Sequence, residues 1–182
     1  RIRQLREGRA PLHEPGLDAL LLEGMTSGNL EFSYEPKQAL RDTKLLWVTL
    51  DTPVDEQDTA DIEWVIGQLR VILPFLEPGT VVLISSQLPV NTTQAMEEEF
   101  RDSGLLFAYS PENLRLGNAL DIFQNPDRII VGTRDARAQQ LLASVLSHFS
   151  DNILWMSIES AEMTKHAINS FLAMSVAYTN EL

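Results

Sequence analysis

The chain has 182 residues, 44% of them hydrophobic and 22% charged, with 9 Gly, 9 Pro, no Cys and a net charge of −12. This composition suits one globular domain or slightly more, with a core large enough to need no staples. The acidic balance argues against a nucleic-acid partner, whose phosphates attract cations. The lack of cysteine excludes a disulfide framework, a thiolate metal site and a cysteine nucleophile within these residues, and fits a reducing, cytoplasmic setting. No apolar run approaches the roughly 18 residues of a membrane span, and no signal-peptide core opens the chain. The chain begins at Arg1 without a methionine and stops at Leu182 inside a helical pattern, so we expect an internal piece of a longer protein.

Arg1, Arg3, Arg6 and Arg9 form a basic run that suits either a solvated helix face or a phosphate-binding edge. Leu17, Leu20 and Leu21 have helical spacing, with an end expected near Gly24. Leu45–Leu50 is a short apolar run suited to a buried strand, closed by Pro53. Asp58 and Asp61 are candidate caps for a helix carrying Ile62, Val65, Ile66, Leu69 and Leu73. Thr80–Ile84 predicts the next strand, followed by a helix that includes Glu97, Glu98 and Glu99. Leu105–Tyr109 predicts another strand, then a polar loop between Pro111 and Pro126, then a strand at Ile129–Val131. Asp135 opens a helix with Leu141, Leu142, Val145, Leu146 and Phe149 on one stripe. Ile153–Met156 predicts a last strand. From Ser157 a long helix is expected to run to the end, with Ile168, Phe171, Leu172, Val176, Thr179 and Leu182 on its apolar side. Strands alternating with amphipathic helices predict an α/β fold, a doubly wound parallel sheet. Ligands in such sheets sit at the carboxyl ends of strands. That directs attention to Asp51–Asp55, Ser85–Thr93 and Ser110–Gly117.

No phosphate-cradling glycine loop occurs, and His13, His148 and His166 lack metal-ligand spacing. No metal site is expected. Three features stand out. Ser85–Thr93 gathers small polar groups at a strand end, as a ligand loop or as plain strand-to-helix capping. In Ser110–Gly117 a proline precedes Glu112, whose carboxylate suits a general base or a helix-start charge. On the last helix Lys165 and Asn169 lie four apart and share a face. They suit oxyanion stabilisation, whereas Glu162 and Lys165 also suit a surface ion pair.

In this order the segments resemble the UDP-glucose/GDP-mannose dehydrogenase family. Pro11–Leu17 is similar to its Pro-x-x-Glu-Pro-Gly-Leu stretch, and Asp51-Thr52-Pro53 to its Thr-Pro after a buried strand. Ser86–Val90 resembles its Ser-Thr-x-Pro segment. Ser110–Gly117, Ala119, Pro126–Ile129 and Gly132 follow its Pro-Glu-x-Leu-x-x-Gly-x-Ala…Pro-x-Arg-x-x-Gly pattern. Ser160–Ala173, with Asn180-Glu181, resembles its central helix.

The resemblance implies a partial Rossmann-like domain at residues 1–156, lacking its first strand and glycine loop, and the start of a central dimerisation helix at 157–182. It implies NAD-dependent oxidation of the C6 alcohol of a nucleotide sugar such as UDP-glucose to the uronic acid, for polysaccharide precursors. Glu112, Lys165 and Asn169 would be catalytic. Thr52, Pro53 and Gln87 would approach NAD, and Asn113, Leu114 and Arg115 would join Glu112, Lys165 and Asn169 around the sugar nucleotide. A homodimer or higher homo-oligomer is implied, with no nucleic-acid or membrane partner. Three positions depart from the family: Gln87 stands where threonine is usual, Asn91 where glycine is usual, and Leu116 where many members have glutamate. The family's glycine fingerprint would lie before Arg1 and its catalytic cysteine beyond Leu182, so these residues alone are expected to be inactive. Alternatives are another dehydrogenase of the 6-phosphogluconate-like superfamily, or a non-catalytic relative kept for binding or dimerisation.

Overall fold

Among the described residues five short strands stand side by side in chain order: β1 (Leu45–Val48), β2 (Val81–Ile84), β3 (Leu106–Tyr109), β4 (Ile129–Thr133) and β5 (Ile153–Met156). They belong to a computed structural model that describes residues 2–57 and 59–182. Eight α-helices accompany them among the described residues: α1 (Ile2–Arg6), α2 (Leu17–Thr26), α3 (Pro36–Ala39), α4 (Ile62–Ile72), α5 (Thr92–Glu99), α6 (Ala119–Gln124), α7 (Ala136–Leu146) and α8 (Ile158–Glu181).

The strands β1, β2 and β3 pair in parallel, with Val48 beside Ile84 and Ile84 beside Tyr109. Alternate residues of each strand feed opposite faces. Val82, Ile84, Phe107 and Tyr109 pack with Val65 and Leu69 of α4, Met96 of α5 and Ile158 of α8. Val81, Leu83, Leu106 and Ala108 pack with Ala138, Leu142 and Leu146 of α7. Both faces are therefore covered, as a doubly wound sheet requires. Each fully buried Leu or Val in these layers contributes about 1.5–3 kcal/mol.

One pairing departs from the expected parallel sheet. β4 runs antiparallel to β3, and β5 is parallel to β4. A parallel return needs a crossover long enough to travel back along the sheet. The segment between β3 and β4, expected as a polar loop, contains only the six-residue α6. It stays at one end of the sheet, so the chain re-enters from that end.

The expected caps form at Asp61, which accepts from the N–H of Trp64 at 3.0 Å, and at Asp135, which accepts from the N–H of Arg137 at 2.7 Å. Ser157 caps α8 in the same way, accepting from Ser160. Asp58, the other candidate cap, and Arg1 of the basic run lie outside the described residues. In that run Arg6 donates twice to the main-chain oxygen of Phe32, at 2.9 and 2.7 Å, and lies over the ring of Tyr34. This docks α1 on its own chain. α2 continues past the expected end at Gly24 to Thr26.

α8 begins hard against β4. A Cβ on Gly132 would come within 2.7 Å of both the Cα of Ile158 and the carbonyl oxygen of Ser157. Glycine is what allows the helix to approach. Only Ile158, Ala161 and Glu162 of α8 are buried. Of its expected apolar side Ile168 is half-buried, while Phe171, Leu172, Val176, Thr179 and Leu182 are exposed. Among the described residues no helix is long and apolar enough to cross a membrane.

Candidate active site

Because β1, β2 and β3 are parallel, the segments that follow them emerge at one edge of the sheet. The hydroxyl of Thr52, after β1, donates to the main-chain oxygen of Gln87, after β2, at 2.7 Å. Pro53, beside it, accepts from the N–H of Asp61 and fixes the start of α4. Trp47 Nε1 donates to Ser85 Oγ at 2.9 Å. The Ser86 hydroxyl is buried without a partner. Tyr109 is also buried, and its hydroxyl lies 3.3 Å from the oxygen of Ser86. Burial first, then the negative charges of Glu162 and Glu112, push its ionisation up to about 12, so it remains a neutral phenol.

Lys165 crosses from α8 to the loop after β3. Its Nζ donates to the main-chain oxygen of Glu112 at 2.6 Å, with Glu112 Oε1 and Asn113 Oδ1 each 3.3 Å away. The ammonium is mostly enclosed, with 13% of its side chain exposed against 47% for Glu112. Glu112 Oε2 also accepts from the N–H of Leu114 at 2.8 Å, which folds the loop around the carboxylate. Glu112, Asn113, Leu114 and Lys165 are thus brought together. Arg115 and Asn169 are exposed; Asn169 lies one turn beyond Lys165.

Glu162 does not form the surface pair with Lys165 that its spacing suggests. It is fully buried, and its carboxylate accepts from the N–H groups of Asn91 at 2.6 Å and Thr93 at 2.9 Å. These are orphan donors at the start of α5, where the helix dipole favours an anion. Asn91 has φ 75°. It adopts the left-handed backbone that glycine takes most readily and asparagine next, which accounts for asparagine where the family usually has glycine.

A second buried carboxylate serves the other loop. Glu14 accepts from the N–H groups of Gly117 at 2.6 Å, Ala119 at 2.7 Å and Leu120 at 3.4 Å. Burial raises its pKa, but these amides, with the nearby His13, outweigh that and hold it below the ordinary glutamate value. Composition and spacing do not reveal either role. The one clue is an acid in a Glu-Pro-Gly turn, where Gly16 has φ 84°.

A cavity of about 410 Å³ opens beside Glu112 and Asn113. Its apolar wall includes Trp47, Phe123 and Phe149, with Trp47 and Phe123 centroids 5.8 Å apart and Phe123 and Phe149 5.0 Å apart. Among the described residues no three His, Asp or Glu side chains gather as a metal site. A carboxylate, an enclosed ammonium and an unpartnered serine hydroxyl can bind a polar oxygen, move a proton and stabilise negative charge on oxygen.

Residues 1–150 match the model of the UDP-glucose/GDP-mannose dehydrogenase family, NAD binding domain. The whole chain is 31% identical to the UDP-glucose 6-dehydrogenase of Pseudomonas aeruginosa, covering 43% of that protein. It is 32% identical to the UDP-glucose 6-dehydrogenase of Rhizobium meliloti, covering 44%. Among solved structures, a UDP-glucose dehydrogenase from the hyperthermophilic archaeon Pyrobaculum islandicum superposes with a TM-score of 0.89 at 30% identity, over 99% of this chain and 44% of that one. The chain therefore spans under half the length of these relatives.

Proposed function

Because the chain belongs to the UDP-glucose/GDP-mannose dehydrogenase family, with residues 1–150 in its NAD-binding domain, we propose that it works within a nucleotide-sugar 6-dehydrogenase, oxidising the C6 alcohol of a UDP-glucose-like sugar to the uronic acid. The observation that carries this reading is the seating of Lys165 Nζ on the Glu112 loop, beside the cavity. In this reading residues 1–156 are the cofactor domain and 157–182 begin a central helix.

The strand ends fit the cofactor. Thr52 and Gln87 close the gap between two loops, and the buried Ser86 hydroxyl has an unused bond to offer. Pro53 holds the Thr52 turn in place. Leu116, exposed to 77%, brings no polar atom to this edge. When bound, NAD supplies the hydride acceptor.

The remaining chemistry belongs to side chains. Lys165 stabilises the sugar C6 oxygen as negative charge develops on it, a role suited to a fixed, partly desolvated cation. Asn169, one turn away, adds an amide donor once the nucleotide sugar is seated. In the step that releases the acid, water adds to the acyl carbon of a thioester on the family's cysteine, which these residues do not include. Glu112 would hold that water and take its proton as the C–S bond breaks and the thiolate leaves. Asn113, Leu114 and Arg115 extend the same loop along the nucleotide sugar. The exposed Phe171, Leu172 and Val176 on α8 support a homodimer through that helix. A cytoplasmic place, supplying uronic acids for polysaccharides, follows from this reading.

The test is NADH formation, followed at 340 nm, by the full-length protein with UDP-glucose, UDP-N-acetyl sugars and GDP-mannose. The reading predicts turnover with one of them, and no NADH from any of them would contradict it.

A further inference from the structure

The first turns of α8 reach two loops at once. Lys165 addresses the loop after β3, while Glu162 and His166, spaced four apart and so on one face, address the loop after β2. Glu162 takes the N–H groups of Asn91 and Thr93. His166 Nε2 lies 3.1 Å from the main-chain oxygen of Leu88, and since that oxygen only accepts, the ring nitrogen donates. The neighbouring Gln87 is held on its other side by Thr52. The segment from Gln87 to Thr93 is thus tied at four main-chain atoms, three of them to the helix that carries Lys165.

A buried carboxylate is a costly way to cap a helix. Desolvating the charge is unfavourable unless several donors compensate. A serine, threonine or aspartate at the N-cap satisfies the same amides locally, yet Asn91 makes no side-chain cap bond. A cap supplied from 69 and 71 residues away does what a local cap cannot: it fixes the loop relative to another element. It also fills the start of α5 with a carboxylate, so that helix end is closed to cofactor phosphate.

We infer that Glu162, assisted by His166, is a positioning residue that sets the Gln87 loop, and with it the cofactor, at a fixed distance from Lys165. The inference rests on the reading of Gln87 and Lys165 given above.

The experiment uses the full-length protein, with NAD affinity measured by calorimetry and KM measured separately for NAD and for the nucleotide sugar. In Glu162→Gln one amide N–H faces an NH2 group, and loss of a charge-assisted hydrogen bond corresponds to about tenfold or more. The NAD Kd and KM should both rise about tenfold while the sugar KM moves less than about twofold. His166→Leu should weaken NAD binding by about threefold, and His166→Gln, which keeps an N–H donor, should recover most of that loss. A folded Glu162→Gln protein with unchanged NAD Kd and KM would overturn the inference and leave Glu162 as a helix cap only. If Glu162→Gln does not fold, the His166 pair decides: unchanged affinity in His166→Leu overturns the inference, and loss with recovery supports it. A wild-type protein that binds no NAD would overturn the functional reading and this inference with it.

Discussion

The ammonium of Lys165 donates to the main-chain oxygen of Glu112 at 2.6 Å, although the two residues lie 53 apart in the chain. One cation thereby orders the loop that carries the general-base candidate and stands next to it. The two groups have separate tasks in the proposed reaction, so their variants should fail differently.

In the full-length protein Lys165→Met should lower kcat by about 10²–10³, the cost of losing one oxyanion-stabilising group. Glu112→Gln should lower it by about 10²–10⁴. Among the described residues neither side chain hydrogen-bonds the Gln87 loop, so NAD affinity should stay within about twofold in both. Stopped-flow traces should show the first NADH forming normally in Glu112→Gln and slowly in Lys165→Met. Equal slowing of the first NADH in both variants would remove the division of labour.

Asn91 bears on backbone conformation. At φ 75° an alanine Cβ is strained by about 1–2 kcal/mol, whereas glycine is at ease. Asn91→Ala should lose about that much stability in urea unfolding, and Asn91→Gly should stay within about 0.5 kcal/mol. Similar losses in the two variants would mean that the asparagine side chain, rather than the backbone, matters.

Glu14 ties acid stability to the Glu112 loop. Its folded pKa is lowered, so its contribution is complete above the unfolded value and is lost as pH falls through the folded one. Glu99, Asp135 and Glu159 are lowered as well and act in the same direction. The stability gap between wild type and Glu14→Gln should be widest near pH 7 and should close below the ordinary glutamate value of 4.5. Urea midpoints taken across that range check it, and a gap that stays constant with pH would assign the loss to packing.

Gly132 allows α8 to start where it does. In Gly132→Ala the new methyl meets main-chain atoms of Ser157 and Ile158, which cannot yield as a side-chain tip would. The expected cost is about 1–3 kcal/mol. Because α8 carries Lys165, kcat should fall too, and a thermal melt beside a kinetic assay separates the two effects.

Much of this frame is legible in the residues. Leu45–Val48, Val81–Ile84 and Leu106–Tyr109 are apolar runs bounded by turns, and parallel order places their ends together. Strand direction is a different matter. Ile129–Val131 reads as a buried strand in either sense, and its antiparallel pairing with β3 is visible only in the structure. Glu162 misleads for a physical reason. Its spacing from Lys165 suits a surface pair worth a few tenths of a kcal/mol, but two free amides at the start of α5 bind the carboxylate more strongly. No local pattern announces a partner so distant in the chain. The Lys165 and Glu112 contact is likewise invisible in composition and spacing; the resemblance names both residues as catalytic but not their contact, which only the structure shows.

The most direct measurement of the central claim is the amount of NADH formed per nucleotide sugar by the full-length protein when the sugar is limiting. Taking an alcohol to an acid removes two hydrides, so the account predicts about two NADH per sugar. A ratio of about one, with an aldehyde or ketone as product, or no NADH at all, would contradict it.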